Sequence, residues 1–159
     1  MKKLVALVVL AAAALAATSA SGGPVAATKS RSLSIGVPLR SIGDSRARGL
    51  AFFQLRGQSL RYVVVVFNLP PNSQHAAHIH GPNGACTPAA KNRGVVVPFP
   101  DLRADARGVA YAQGVISLRQ AKTKNVLRRG FYFNVHEYPT AQLQSKGLEA
   151  VTCGNISPS

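Results

Sequence analysis

Short apolar runs rich in Val, Ile, Phe and Tyr follow one another along most of this chain, and turn residues separate each run from the next. The turn segments include Pro-Pro-Asn-Ser at 70–73 and Gly-Pro-Asn-Gly at 81–84, whose residue types suit tight reversals of the backbone. The spacing predicts an all-β fold, a sandwich or barrel of about eight strands. The expected strands are 32–37, 49–55, 60–69, 75–81, 94–99, 108–116, 131–136 and 148–156. Residues 117–129 have a helix-like composition without an apolar face, which predicts a connection with room for one helical turn.

The first 20 residues have the plan of a secretory signal peptide. Lys2 and Lys3 are followed by an uncharged run of Leu, Val and Ala at 4–17 and by the small residues Thr-Ser-Ala at 18–20. A retained membrane anchor is the alternative, but the run is shorter than the ~20 residues that span a bilayer. We therefore expect a signal peptide at 1–20, a flexible lead-in at 21–31, one folded domain at 32–157, and a secreted, periplasmic or extracellular protein.

The chain is strongly basic, with 19 Lys and Arg against 5 Asp and Glu and a formal charge of +14. Loss of Lys2 and Lys3 would lower that charge by only two, so the charge belongs to the exported domain. A field of this sign favours an anionic partner, which could be a small anion, an anionic surface polymer or lipid headgroups. The densest basic group, 119–129, is the candidate for a polymer or headgroups. Nucleic acid is not expected as a partner, because the aromatic residues lie in β runs that fill a core rather than between exposed charges.

The two cysteines, Cys86 and Cys153, both lie in the exported part. An oxidising compartment favours their pairing, and two separate buried thiols are the alternative. A disulfide at this separation would stabilise the fold by about 4 kcal/mol on the chain-entropy model.

The histidines are the candidate chemical centre. His78 and His80 would point to the same face of one strand, about 7 Å apart, because side chains alternate along a strand. His136 ends another expected strand and could supply a third imidazole, the side chain that typically binds copper and zinc. A His-x-His pair alone is more often a surface pair, and hydrogen-bonded packing of all three is the alternative to a metal site.

Four ordered motifs resemble the copper/zinc superoxide dismutases. They are His-Ala-Ala-His-Ile-His at 75–80, Gly-Ala-Cys-Thr at 84–87, Phe-Asn-Val-His-Glu-Tyr-Pro at 133–139 and Val-Thr-Cys-Gly-Asn-Ile at 151–156. The resemblance implies an eight-stranded antiparallel Greek-key β-barrel, immunoglobulin-like in general architecture. It also implies copper ligands at His78, His80 and His136, a supporting histidine at His75 that orients the site through a backbone hydrogen bond, and a disulfide between Cys86 and Cys153.

The chain also departs from that family. Asn92 stands where the histidine shared by copper and zinc is expected, Pro98 replaces a zinc histidine, and Ala150 replaces the arginine that guides superoxide. Asp101 is the one remaining counterpart of a zinc ligand. The resemblance thus implies a copper-only protein without zinc, which disproportionates superoxide weakly or not at all.

A second resemblance is to the CHRD domain, a secreted β module. Ala-Ala-His-Ile-His-Gly-Pro at 76–82 matches its first motif, and Phe-Tyr-Phe-Asn-Val-His at 131–136 is similar to its second. This reading implies a non-enzymatic extracellular module that binds an anionic partner. We favour the dismutase-like interpretation here because it also accounts for both cysteines and for His-Glu-Tyr-Pro.

Overall fold

Ten β-strands make up most of the computed structural model, which describes residues 32–87, 94–119 and 125–158. The strands are β1 Ser32–Ser41, β2 Arg48–Arg56, β3 Ser59–Phe67, β4 Gln74–His75, β5 Ala77–His80, β6 Val95–Pro98, β7 Leu102–Arg103, β8 Ala110–Ser117, β9 Phe131–His136 and β10 Ala150–Ile156. A 3-10 turn at Thr140–Gln142 continues into a one-turn helix α1, Leu143–Lys146. The predicted antiparallel all-β fold is confirmed. The predicted signal peptide at 1–20 and lead-in at 21–31 lie outside the described residues.

Eight strands form one curled antiparallel sheet in the order β6-β5-β9-β10-β1-β2-β3-β8. β1 lets the sheet curl because it changes partner along its length. Residues 32–39 pair with β2, whereas Arg40 and Ser41 pair with β10. β4 and β7 form a separate two-stranded sheet.

The core lies on the inner side of the curl. Alternate residues of β1, Ile35, Val37 and Leu39, are buried, and β2 and β3 repeat this pattern, as expected for strands with one face on a core. The aromatic rings at the centre pack with centroids 5.0 to 5.9 Å apart. These rings belong to Phe53, Tyr62, Phe99 and Phe133. By contrast, every residue of β5 and β9 is buried, so these two strands are covered on both faces.

One predicted strand is divided in two, and one short strand was not expected from the sequence. The predicted strand at 75–81 breaks at Ala76, whose N–H donates to Tyr138 O and whose carbonyl accepts from His136 N–H. The chain therefore moves from the small sheet, where β4 pairs with β7, to the large one, where β5 pairs with β9. The short strand β7 was not predicted.

A helical turn that was not predicted lies at 140–146. The connection expected at 117–129, with room for one helical turn, includes residues 120–124, which lie outside the described residues. The Asp101 carboxylate accepts hydrogen bonds from the N–H and the hydroxyl of Thr140, which satisfies the start of the turn at 140–146. No helix in the described parts of the chain is long and apolar enough to cross a membrane.

The predicted disulfide is confirmed. Cys86 and Cys153 are bonded, with Cα atoms 5.6 Å apart, and they join the segment after β5 to β10. The Cys86 N–H also donates to Asn155 Oδ1 at 2.6 Å. The segment that follows His80 is thus attached to the strand that pairs with β9.

Candidate metal centre

The pairing of β5 with β9 determines which side chains meet. His78 lies opposite Asn134 and His80 opposite Tyr132, while Ile79 lies opposite Phe133 and faces the core. Since side chains alternate along a strand, both histidines lie on the side of the sheet away from the core. His136 is two residues beyond Asn134 and therefore shares that side.

The structure brings His78, His80 and His136 together. Each offers one ring nitrogen, and these three nitrogens lie within 4.8 Å of one another. The ring centroids are 5.1 Å apart for His78 and His136, 5.6 Å for His78 and His80, and 6.0 Å for His80 and His136. The side chains are only 5%, 2% and 1% exposed, in chain order. This geometry differs from that of a surface histidine pair, which would be solvated.

His136 is held by its backbone and by its ring. Its backbone N–H donates to Ala76 O at 2.8 Å, and its ring Nδ1 lies 3.0 Å from Leu148 O. Because a carbonyl only accepts, Nδ1 carries the proton in this bond. In the neutral ring the lone pair is then on Nε2, a buried atom with no hydrogen-bond partner among the described residues.

His75 supports the position of His136 through a hydrogen bond to its backbone. It is fully buried, and its Nδ1–H donates to the His136 carbonyl at 2.8 Å. Its Nε2 lies 2.6 Å from the Ser73 hydroxyl. The backbone hydrogen bond that the dismutase resemblance implied for His75 is present. Neither the Ser73 hydroxyl nor the Leu148 carbonyl was predicted as a partner of these histidines. No motif marks the Leu148 carbonyl, because any residue offers one.

Burial favours the neutral form of His75, His78 and His136. The pKa of His78 is lowered from 6.5 to about 4, mainly by burial and also by the neighbouring His136 and His80, while Asp101 acts in the opposite direction. Burial also lowers the pKa of His136 and of His75. Neutral imidazole is the form that binds metals, so His78 and His136 are ready to bind at neutral pH.

The positions that depart from the dismutase motifs have different surroundings. Asp101 is not part of the three-histidine group, and its carboxylate instead accepts two hydrogen bonds from Thr140. Pro98 pairs with His78 and Ala150 with His136 in the sheet, so both positions adjoin the site without a ligand or a charge. Asn92 lies outside the described residues.

Two comparisons with known proteins bear on the family. The family model of the CHRD domain matches residues 36–142, which is more than half of the chain and includes all three clustered histidines. No curated protein matches the chain. The match supports the second resemblance, and nothing in the comparisons supports the superoxide dismutase family, so our preference between the two was misplaced. Strand alternation by itself places a His-x-His pair on one face, and this explains why that motif does not separate the two families.

Proposed function

The chain belongs to the CHRD domain family, and on that premise we propose that it is an extracellular β module that binds one transition-metal ion, copper in preference to zinc, at His78, His80 and His136. The observation that carries the proposal is the convergence of three buried ring nitrogens within 4.8 Å. The disulfide and the signal peptide predicted at 1–20 support a location outside the cytoplasm.

A bound metal ion would give a partner to ring nitrogens whose burial is otherwise unfavourable. His78 Nδ1 and His136 Nε2 are buried without a hydrogen-bond partner among the described residues, which costs about 1–3 kcal/mol for each polar group. An ion held between them would take up both lone pairs. The bond from His136 Nδ1 to Leu148 O is of the kind that orients histidine ligands in metal sites.

Copper is the preferred metal because of the donor set. The group consists of three imidazoles without a thiolate or a carboxylate, and nitrogen sites bind Cu²⁺ more tightly than Zn²⁺. Bound copper would supply a one-electron redox couple. Weak superoxide disproportionation is therefore the finer proposal for this site. We expect a slow rate at best, since Ala150 leaves no cation beside His136.

Metal titration tests the proposal. Metal-free secreted protein is dialysed against Cu²⁺ or Zn²⁺, and bound metal is measured by mass spectrometry. We expect about one Cu²⁺ per chain, and at least a 100-fold weaker affinity in His78→Ala and in His136→Ala. Gln113→Ala, an exposed position on β8, is the control and should bind as the parent does. Circular dichroism shows whether each variant is folded.

Two results would overturn it. One is a folded parent protein that takes up no copper or zinc. The other is stoichiometric uptake that both histidine variants retain. Superoxide turnover by the copper-loaded parent, compared with copper-loaded Gln113→Ala and metal-free protein, separates a catalyst from a copper-binding module.

A further inference from the structure

The side of β1, β2, β3 and β8 that faces away from the core carries large exposed apolar residues. On β2, Leu50 is 52% exposed and Phe52 44%, and on β8, Tyr111 is 59% exposed. The strand register places these residues side by side, because Leu50 and Tyr111 both pair with Val65 of β3. The apolar band consists of Leu50, Phe52, Phe67, Tyr111 and Val115. The expectation that the aromatic residues fill the core is wrong for Phe52 and Phe67, because alternation along β2 and β3 turns them outward.

Arginines lie at both ends of the apolar band. Arg48 and Arg56 begin and end β2, about 27 Å apart at the rise of a strand. Arg48 pairs with Phe67, and Arg61 pairs with Val115. Arg40 follows the same alternation at the end of β1. None of the four makes an ion pair with a described residue, and the four strands contain no Asp or Glu.

This combination of residues limits what can cover the face. A second copy of the chain would place the four arginines of one protomer against those of the other without an intervening carboxylate, which opposes association. A nucleic acid would stack on aromatic rings but would gain little from Leu50, Val65 or Val115. An anionic bilayer complements both parts, since apolar and aromatic side chains enter the headgroup boundary and arginines contact acidic headgroups.

We propose that the outer face of β1, β2, β3 and β8 docks on the surface of an anionic lipid bilayer. This gives the expected anionic partner a defined binding surface on the protein. The surface does not depend on the metal site, because β10 and β1 lie between β9 and β2 in the sheet. A chain docked in this way would remain at the membrane surface after export.

Vesicle flotation tests the docking. The secreted protein is mixed with vesicles of phosphatidylcholine and phosphatidylglycerol in equal parts, or of phosphatidylcholine alone. We expect binding to the first and at least tenfold weaker binding to the second. The double variants Arg48→Gln/Arg56→Gln and Phe52→Ser/Tyr111→Ser should each bind at least tenfold more weakly.

The matched control for the charge change is Arg103→Gln/Lys146→Gln, two exposed cations outside the face. It should change vesicle binding by less than threefold. An equal loss in the control pair would mean that net charge alone drives binding, and this would overturn the proposal. Undiminished binding of Phe52→Ser/Tyr111→Ser to anionic vesicles would also overturn it.

A fluorescent probe reports contact without loss of any arginine. The chain contains no Trp, so Phe52→Trp introduces a single indole into the band. On anionic vesicles only, the emission of this indole should shift to the blue and should be quenched by brominated lipid. Val95→Trp, at an exposed position on β6, should show neither effect. The absence of a shift at position 52, or variant-sensitive binding to single-stranded DNA or to a second copy in place of vesicles, would contradict lipid docking. Copper uptake by the variants at positions 48, 52, 56 and 111 should be unchanged, which keeps this test separate from that of the metal site.

Discussion

Acidification of the metal-free protein from pH 7 to pH 4.5 should destabilise it, and His78 should account for much of the loss. The pKa of His78 is about 4 in the folded chain and 6.5 in the unfolded chain. Between those values the unfolded state binds a proton that the folded state does not bind. The free energy of unfolding therefore falls as the pH falls through this window, and it levels off for this group below pH 4.

The size of the effect follows from the two pKa values. One pKa unit of difference between the folded and unfolded states corresponds to about 1.4 kcal/mol, so His78 contributes at most about 3 kcal/mol. His136 and His75 act in the same direction, because burial also lowers their pKa. The contribution of His78 alone is a large fraction of the 5–15 kcal/mol that typically stabilises a domain.

Urea denaturation at several pH values between 7 and 4.5, in the presence of a chelator, measures this effect. His78→Gln cannot titrate, so between pH 7 and pH 4.5 its unfolding free energy should lose about 2.4 kcal/mol less than that of the parent. Gln113→Ala should follow the parent. Parallel pH profiles for the parent and His78→Gln, or a parent whose stability does not fall with pH, would refute the account of a neutral buried cluster.

Three further predictions concern the scaffold and the support of the site. Replacing Cys86 and Cys153 together by Ser should lower the free energy of unfolding by about 4 kcal/mol, measured by chemical denaturation against the parent under oxidising conditions. Gly154→Ala should destabilise by about 1–3 kcal/mol because its Cβ would meet the backbone of β1, whereas Gly94→Ala, with no atom within 4 Å of the added Cβ, should stay within about 0.5 kcal/mol in the same assay. Ser73→Ala removes the hydroxyl from the buried histidine below the site, so copper affinity should fall about 10-fold while the stoichiometry stays at one, and an unchanged affinity would show that this contact does not position the ligands.

The strands could be predicted because most of them bury one face. Alternation along β1 to β3 is visible in the sequence, and all eight expected runs contain a strand. The break at Ala76 could not be predicted, because it depends on hydrogen bonds to Tyr138 and His136, at least 60 residues away. The turn at 140–146 was missed because it is too short to show helical periodicity and is held by Asp101 from another part of the chain.

The grouping of the three histidines could be predicted from the sequence, but their surroundings could not. Alternation and the position of His136 at a strand end were enough to bring three histidines together. The burial of all three and the lowered pKa values of His78 and His136 could not be read from spacing, since they depend on the covering of the outer side of β5 and β9. The family was harder to assign, because ordered histidine and cysteine motifs resembled one family while the match over 36–142 belongs to another.

The way His136 is held also bears on how fast a metal ion could exchange. Its backbone N–H, its carbonyl and its ring Nδ1 are each engaged, by Ala76, His75 and Leu148. Swinging the ring away from an ion would break the bond to Leu148, so the His136 ring would resist leaving a bound ion. Release would then begin at His78, the most exposed of the three, and the lifetime of the loaded protein would be set by how often that side of the cluster opens.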